Sequence, residues 1–336
     1  MEKVISIAGG GLAGLSLGIG LRQRGIPVTI SESGAYPRHR VCGEFISGVT
    51  PSTLRALGIE ELFLPARAQT TSAWFVREKF VIRHDLPVPA LGISRHCLDE
   101  ALRQRFESLG GLLHSASRES CVPAEGLVWS TGRRPTKGPW IGLKCHVEGL
   151  SMQEDLEMHL GSGAYVGLAR VEGNRTNVCG LFRVRREIRS ERTLLDYLAA
   201  SDLSALADRL VAARILEDSF SAVAGFQLGW QKNPAGLFAL GDSLAMIPPF
   251  TGNGMSMAFE SAEIALDPLE AYSQGRTSWD DAVKTTKNHL VRQFGSRLFF
   301  AQLLHPFLTS ASGQAFFASF ARTGLLPFQF CLQLVR

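Results

Sequence analysis

The chain has 336 residues, 45% of them hydrophobic and 20% charged, with a formal net charge of +4. That is ordinary globular usage, and it excludes disorder, collagen-like repeats and coiled coil. The cations are dispersed and their surplus is too mild to imply a nucleic-acid partner.

Length allows one large composite domain or two connected lobes. The six cysteines are scattered with no CxxC pair, so neither a zinc site nor a thioredoxin-like motif is suggested, and no metal site is expected. Reduced thiols in a chain without a credible secretion signal point to the cytoplasm.

Val4 to Leu21 is an uncharged, mostly apolar run that superficially resembles a signal peptide, yet six of its residues are Gly, clustered after a strand-like Val-Ile-Ser-Ile-Ala. The run reads instead as a strand over Val4 to Ala8, a turn over Gly9 to Gly14, and a helix from Leu12 to Arg24 ended by Gly25. A second strand follows at Pro27 to Ser31, closed by Glu32.

The glycine spacing fits GxGxxG. Gly9 permits the turn, Gly11 lets a pyrophosphate approach the backbone, and Gly14 lets the helix pack on the strand; Leu12 and Ala13 open that helix toward the phosphates. Glu32, 18 residues after Gly14, is placed to accept both hydroxyls of an adenosine ribose. Strand, turn, helix, strand and acid in that order predict a dinucleotide site and favour FAD or NAD over NADP.

Six strands of a mixed sheet are predicted downstream: Ala73 to Arg77, Lys79 to Arg83, Trp140 to Val147, Leu156 to Leu160, Tyr165 to Val171 and Asn177 to Phe182. Gly161 to Gly167 is glycine-rich, but the β-type residues after it and the turn at Gly173-Asn174 predict a hairpin rather than a second nucleotide loop. Leu194 to Leu216 is amphipathic and reads as a helix interrupted near Ser201-Asp202.

Near residue 240 an apolar strand ends at Gly241-Asp242, a Pro/Gly loop follows, and a helix begins around Asn253 or Gly254. A helix N-terminus preceded by Gly252-Asn253-Gly254 can stabilise negative charge on a reduced flavin without an intervening bulky side chain. This order resembles the second flavin motif of the glutathione-reductase-type flavoproteins, in the branch holding aromatic hydroxylases, flavin halogenases and geranylgeranyl reductases. The resemblance implies that Asp242 bonds a ribityl hydroxyl and that Gly254 and Met255 offer backbone N–H groups to the flavin pyrimidine edge. Arg38 to Ser47 resembles the segment in which a Cys-Gly pair, here Cys42-Gly43 with Arg40 just before it, touches the cofactor. Ile93-Ser-Arg95 resembles the start of a helix whose arginine contacts FAD from the side.

The likeness is incomplete. Leu127 to Arg133 lacks the Asp-Gly turn of the hydroxylases, Ser243-Leu-Ala245 stands where many have Ala-Ala-His, and no Trp-x-Trp-x-Ile-Pro stretch of tryptophan halogenases occurs. No catalytic side chain is assigned.

The fold class expected is α/β: a Rossmann-like FAD-binding domain from residues 1–50, 92–138 and 225–270, an inserted mixed-sheet substrate domain from 51–91 and 139–224, and apolar C-terminal helices over 271–336. Leu298 to Ala321 carries no charged residue, but Pro306 and Gly313 interrupt it, so two packed helices are expected rather than a membrane span. The function expected is an FAD-dependent monooxygenase or reductase with NAD(P)H as a transient donor and an apolar small-molecule substrate; a flavin-binding module without turnover is the alternative. The phenylalanine-rich C-terminal region reads either as ordinary core or, more sharply, as an apolar substrate wall or a peripheral membrane contact.

Overall fold

The computed structural model describes residues 2–134, 136–188, 192–324 and 328–335. At its centre is a five-stranded parallel sheet in the order Phe238–Ala239, Leu127–Trp129, Ile5–Ala8, Val28–Glu32, Leu112–Ser115. Ile5 pairs with Val28 and Ile7 with Ile30, which keeps the apolar residues in register on a buried face. Helix Leu12–Gln23 returns the chain between the first two strands, and every residue from Leu12 to Leu21 is buried. The apolar run that imitates a signal peptide is thus a core strand and a core helix, packed against helices Arg95–Ser108 and Gly254–Ser273.

The second sheet has eight strands: Arg214–Ala224, Trp140–Glu148, Arg175–Arg183, Ala164–Val171, Leu156–Gly161, Arg67–Val76, Lys79–Gly92 and Phe45–Ile46, in that spatial order. It is mixed, because Arg67–Val76 runs parallel to Leu156–Gly161 while the other neighbours are antiparallel. The fold class is therefore the α/β arrangement expected. Ala164–Val171 pairs antiparallel with Leu156–Gly161, so the glycine-rich stretch there is a hairpin.

The Trp140–Glu148 strand is buried on both faces and divides its chemistry between them. Leu143, Cys145 and Val147 pack under helices Thr193–Ala199 and Ser204–Val211. Lys144 and His146 face the opposite way, toward Glu44 of the first lobe.

One expectation is corrected. The helical reading of Leu194 to Leu216 ends at Val211, and Arg214–Ala224 is an edge strand paired with Trp140–Glu148. A register shift between Leu216 and Ser221 breaks the two-residue alternation that would have marked it as a strand.

The C-terminal region forms helices Trp279–Thr309, Ala311–Arg322 and Phe328–Leu334. Ser310 separates the first two, and its hydroxyl caps the second by accepting the Gly313 N–H at 3.2 Å. Among the described residues no helix is long and apolar enough to cross a membrane.

Candidate functional site

A cavity of about 840 Å³ lies between the two sheets, and residues from both halves of the sequence converge on it. The first contribution is the turn after strand Ile5–Ala8. Gly9 takes φ +102°, and a Cβ on Gly14 would lie 2.0 Å from the Gly9 carbonyl oxygen, so both positions demand glycine to close the turn onto the helix. Neither lines the cavity. Gly11, Leu12 and Ala13 do, and the direction a Gly11 side chain would take is open, with the nearest atom 4.0 Å away.

Glu32 is buried at the end of its strand. Its carboxylate accepts the Gly10 N–H at 2.8 Å, the Gly34 N–H at 2.9 Å and the Arg38 guanidinium at 2.7 Å. Burial pushes its carboxyl up, but Arg38, Arg40 and the two backbone donors outweigh this and hold it below the usual range. Tyr36 closes over the same turn by donating to the Gly10 carbonyl.

Behind the turn lies a guanidinium cluster. Arg95 makes a bidentate pair with Asp99 at 2.7 and 2.8 Å, and Arg40 donates to the same carboxylate at 3.0 Å. Arg38, Arg40 and Arg95 all reach the cavity wall while Glu32 and Asp99 are their acidic partners, which leaves a cationic surplus facing Gly11. Ser94 starts the helix by accepting the Cys97 N–H at 3.1 Å, which fixes where Arg95 emerges.

Cys42 and Gly43 form the next stretch of wall. The Asn177 carboxamide donates to both of their carbonyls, at 3.0 and 2.7 Å. Glu44, at φ +51°, is buried among His146 Nε2 at 2.5 Å, Lys144 Nζ at 3.3 Å and the Arg95 backbone N–H at 2.9 Å. This buried carboxylate pins the loop between the two lobes. Burial raises the Cys42 thiol despite the opposing pull of Arg95, so the thiol stays protonated at neutral pH.

The second half of the sequence supplies the opposite end. Asp242 lines the cavity and makes no hydrogen bond or ion pair among the described residues. Burial pushes its carboxyl up to about 6, against the pull of Arg95 and Arg133. Gly252, Gly254 and Met255 also line the cavity, and no side chain caps helix Gly254–Ser273, so its first N–H groups are left free.

Asn253 departs from expectation. It is fully buried off the cavity, and its carboxamide donates to the carbonyls of Thr251 and Val335, so it shapes the loop rather than facing a ligand.

Beyond Asp242 the cavity becomes apolar, walled by Trp74, Met158, Tyr165, Leu181, Phe226 and Phe250. The Tyr165 hydroxyl is buried there without a hydrogen-bond acceptor, and burial keeps it protonated. Arg133 lies over the Phe226 ring, 5.1 Å from its centroid. Sequence reasoning missed Tyr165, Tyr36 and the Glu44 cluster. The only signal for Tyr165 was its place on a predicted strand.

This architecture, a parallel-sheet lobe roofed by a mixed sheet, is the fold seen in a probable FAD-dependent monooxygenase and a flavin-dependent brominase. The flavin-dependent brominase Bmp2 superimposes with a TM-score of 0.77 at 15% identity, over 99% of this chain and 93% of that one. CtdE, solved in complex with FAD and a substrate, gives 0.72 at 15% identity over 99% of each chain. PqsL of P. aeruginosa, solved with 2-aminobenzoylacetate, gives 0.71 at 15% identity over 95% of this chain and 98% of that one. No protein-family profile matches the sequence, and no curated protein matches it.

Proposed function

We propose that the protein is an FAD-dependent monooxygenase that hydroxylates a largely apolar small molecule, with NAD(P)H as a transiently bound reductant. The observation that carries this reading is the single cavity that runs from the Gly11 turn and Glu32, past the unpaired Asp242 and the free N-terminus at Gly254, into an aromatic chamber. Its features follow the order of the parts of FAD. Glu32 suits an adenosine ribose, the Gly11 backbone with Arg40 and Arg95 a pyrophosphate, Asp242 a ribityl hydroxyl, and the N–H groups of Gly254 and Met255 the pyrimidine edge of the ring.

Bound FAD would supply the electron transfer and oxygen chemistry. The chain's own residues do the remainder. The arginine cluster neutralises the phosphates, the helix N-terminus favours negative charge on the reduced ring, and the walls around Phe226 and Phe250 exclude water. Tyr165, protonated and without an acceptor, is placed to donate a hydrogen bond to a carbonyl or phenolic oxygen of the substrate.

The neighbours support oxygenation over double-bond reduction, since one is a probable FAD-dependent monooxygenase and another a brominase. The test is to reduce the flavin anaerobically with NADH or NADPH and then screen lipophilic and polar compounds with and without oxygen. Product that needs both oxygen and a lipophilic compound supports the reading. Reoxidation by an unsaturated compound without oxygen, or by polar acids alone, contradicts it.

A further inference from the structure

We infer that the C-terminal helices form a docking surface for an anionic lipid bilayer, beside the apolar chamber. From residue 282 to the end the sequence contains no Asp or Glu, yet it carries Lys284, Lys287, Arg292, Arg297, Arg322 and Arg336. Among the described residues, Arg297 is held in a buried pair with Glu260 at 3.0 Å. Lys284, Lys287, Arg292 and Arg322 are exposed and form no ion pair among the described residues.

The same helices expose large apolar side chains. Phe299, Leu303 and Phe307 recur every four residues along helix Trp279–Thr309 and are 62%, 53% and 47% exposed. Arg292 lies two turns before Phe299 on the same stripe. Phe316 on the second helix and Phe330 on the third are exposed as well, and both helices pack against the first. Isolated exposed apolar residues are common, but a helical stripe of them beside unpaired cations is the pattern of an interfacial helix.

The charge selects the occupant. Beyond Asp280 and Asp281 in the first turn of helix Trp279–Thr309 the three helices carry only cations, so a second copy docking by the phenylalanine stripe would set cation against cation, whereas anionic headgroups complement it and acyl chains accept the phenylalanines. The third helix links this surface to the chamber, because Phe328 and Leu332 line the cavity while Phe330 faces outward. Since no described helix is long and apolar enough to span the bilayer, the contact is peripheral.

The experiment is co-sedimentation of the full chain with vesicles of phosphatidylcholine alone or mixed with phosphatidylglycerol. The protein is expected to bind the mixed vesicles, with affinity falling about tenfold in high salt or in phosphatidylcholine alone. The triple variant Phe299→Ser, Phe307→Ser, Phe316→Ser should lose at least about tenfold in binding while its melting temperature is kept. If that variant misfolds, Lys284→Glu, Lys287→Glu, Arg292→Glu carries the test with the same expected loss. The proposal is overturned if wild type ignores the mixed vesicles, if folded variants bind as tightly as wild type, or if size exclusion shows the face buried in a dimer that does not partition to lipid.

Discussion

Glu32 accepts the backbone N–H of Gly10 at 2.8 Å, joining the end of the second strand to the turn that follows the first. This bond links the two halves of the dinucleotide motif and makes the acid part of the turn's own structure. On the proposed flavin reading, Glu32→Gln is expected to weaken FAD binding by about tenfold or more, since it would remove charged hydrogen bonds to the ribose and would leave Arg38 and Arg40 less well paired. Titration of the FAD-free protein with FAD, followed by fluorescence quenching, measures it.

The same residue predicts a pH dependence. The folded carboxyl is held below its ordinary value of 4.5, so its stabilising contribution is complete above that value and is lost as pH falls through the lower folded value. Denaturation of wild type and Glu32→Gln across acid pH should show the wild type losing more stability below pH 4.5 than the variant does. Parallel curves would mean that Glu32 does not titrate as its surroundings require.

Asp242 predicts the opposite sign. Its carboxyl is raised from 3.8 to about 6, so the fold is favoured by the protonated form and loses that contribution as pH rises through about 6. Asp242→Asn should therefore stabilise the FAD-free protein at pH 8 by about 1–2 kcal/mol, discounted for partial solvent contact, while weakening FAD binding. Melting curves with and without FAD separate the two effects. A variant destabilised in both states would remove Asp242 from its assigned role.

Cys42→Ser should bind FAD and retain much of the turnover, because burial keeps the thiol protonated and Asn177 holds the local backbone through the carbonyls of Cys42 and Gly43. Flavin content together with steady-state turnover decides it. Turnover abolished with FAD still bound would make the thiol chemically necessary.

The first βαβ unit was legible because Gly9, Gly11, Gly14 and Glu32 stand close in sequence and each has a local steric or electrostatic reason for its type. Asp242 and Gly254 were legible only through their order in a resembled motif. Lys144, His146 and Asn177 were not, since their faces are set by pairing of distant strands: Glu44 meets Lys144 and His146, and Asn177 meets the Cys42 and Gly43 carbonyls, from far along the sequence. Asn253 was misread for a related reason: its partner, the Val335 carbonyl, comes from the last turn of the chain. The Arg214–Ala224 strand was hidden by its own bulge.

The most direct test of the flavin assignment is the cofactor content of purified wild type and of Gly11→Leu. The open space beside Gly11 is where the pyrophosphate would lie, so a leucine there should fold normally yet block it. Wild-type protein is expected to be yellow and to release FAD, not FMN, on denaturation, and Gly11→Leu to be colourless with a similar melting temperature when both are stripped of flavin. Wild type that is colourless and cannot be reconstituted with FAD, or a Gly11→Leu protein that retains FAD as tightly as wild type, would contradict the flavin assignment.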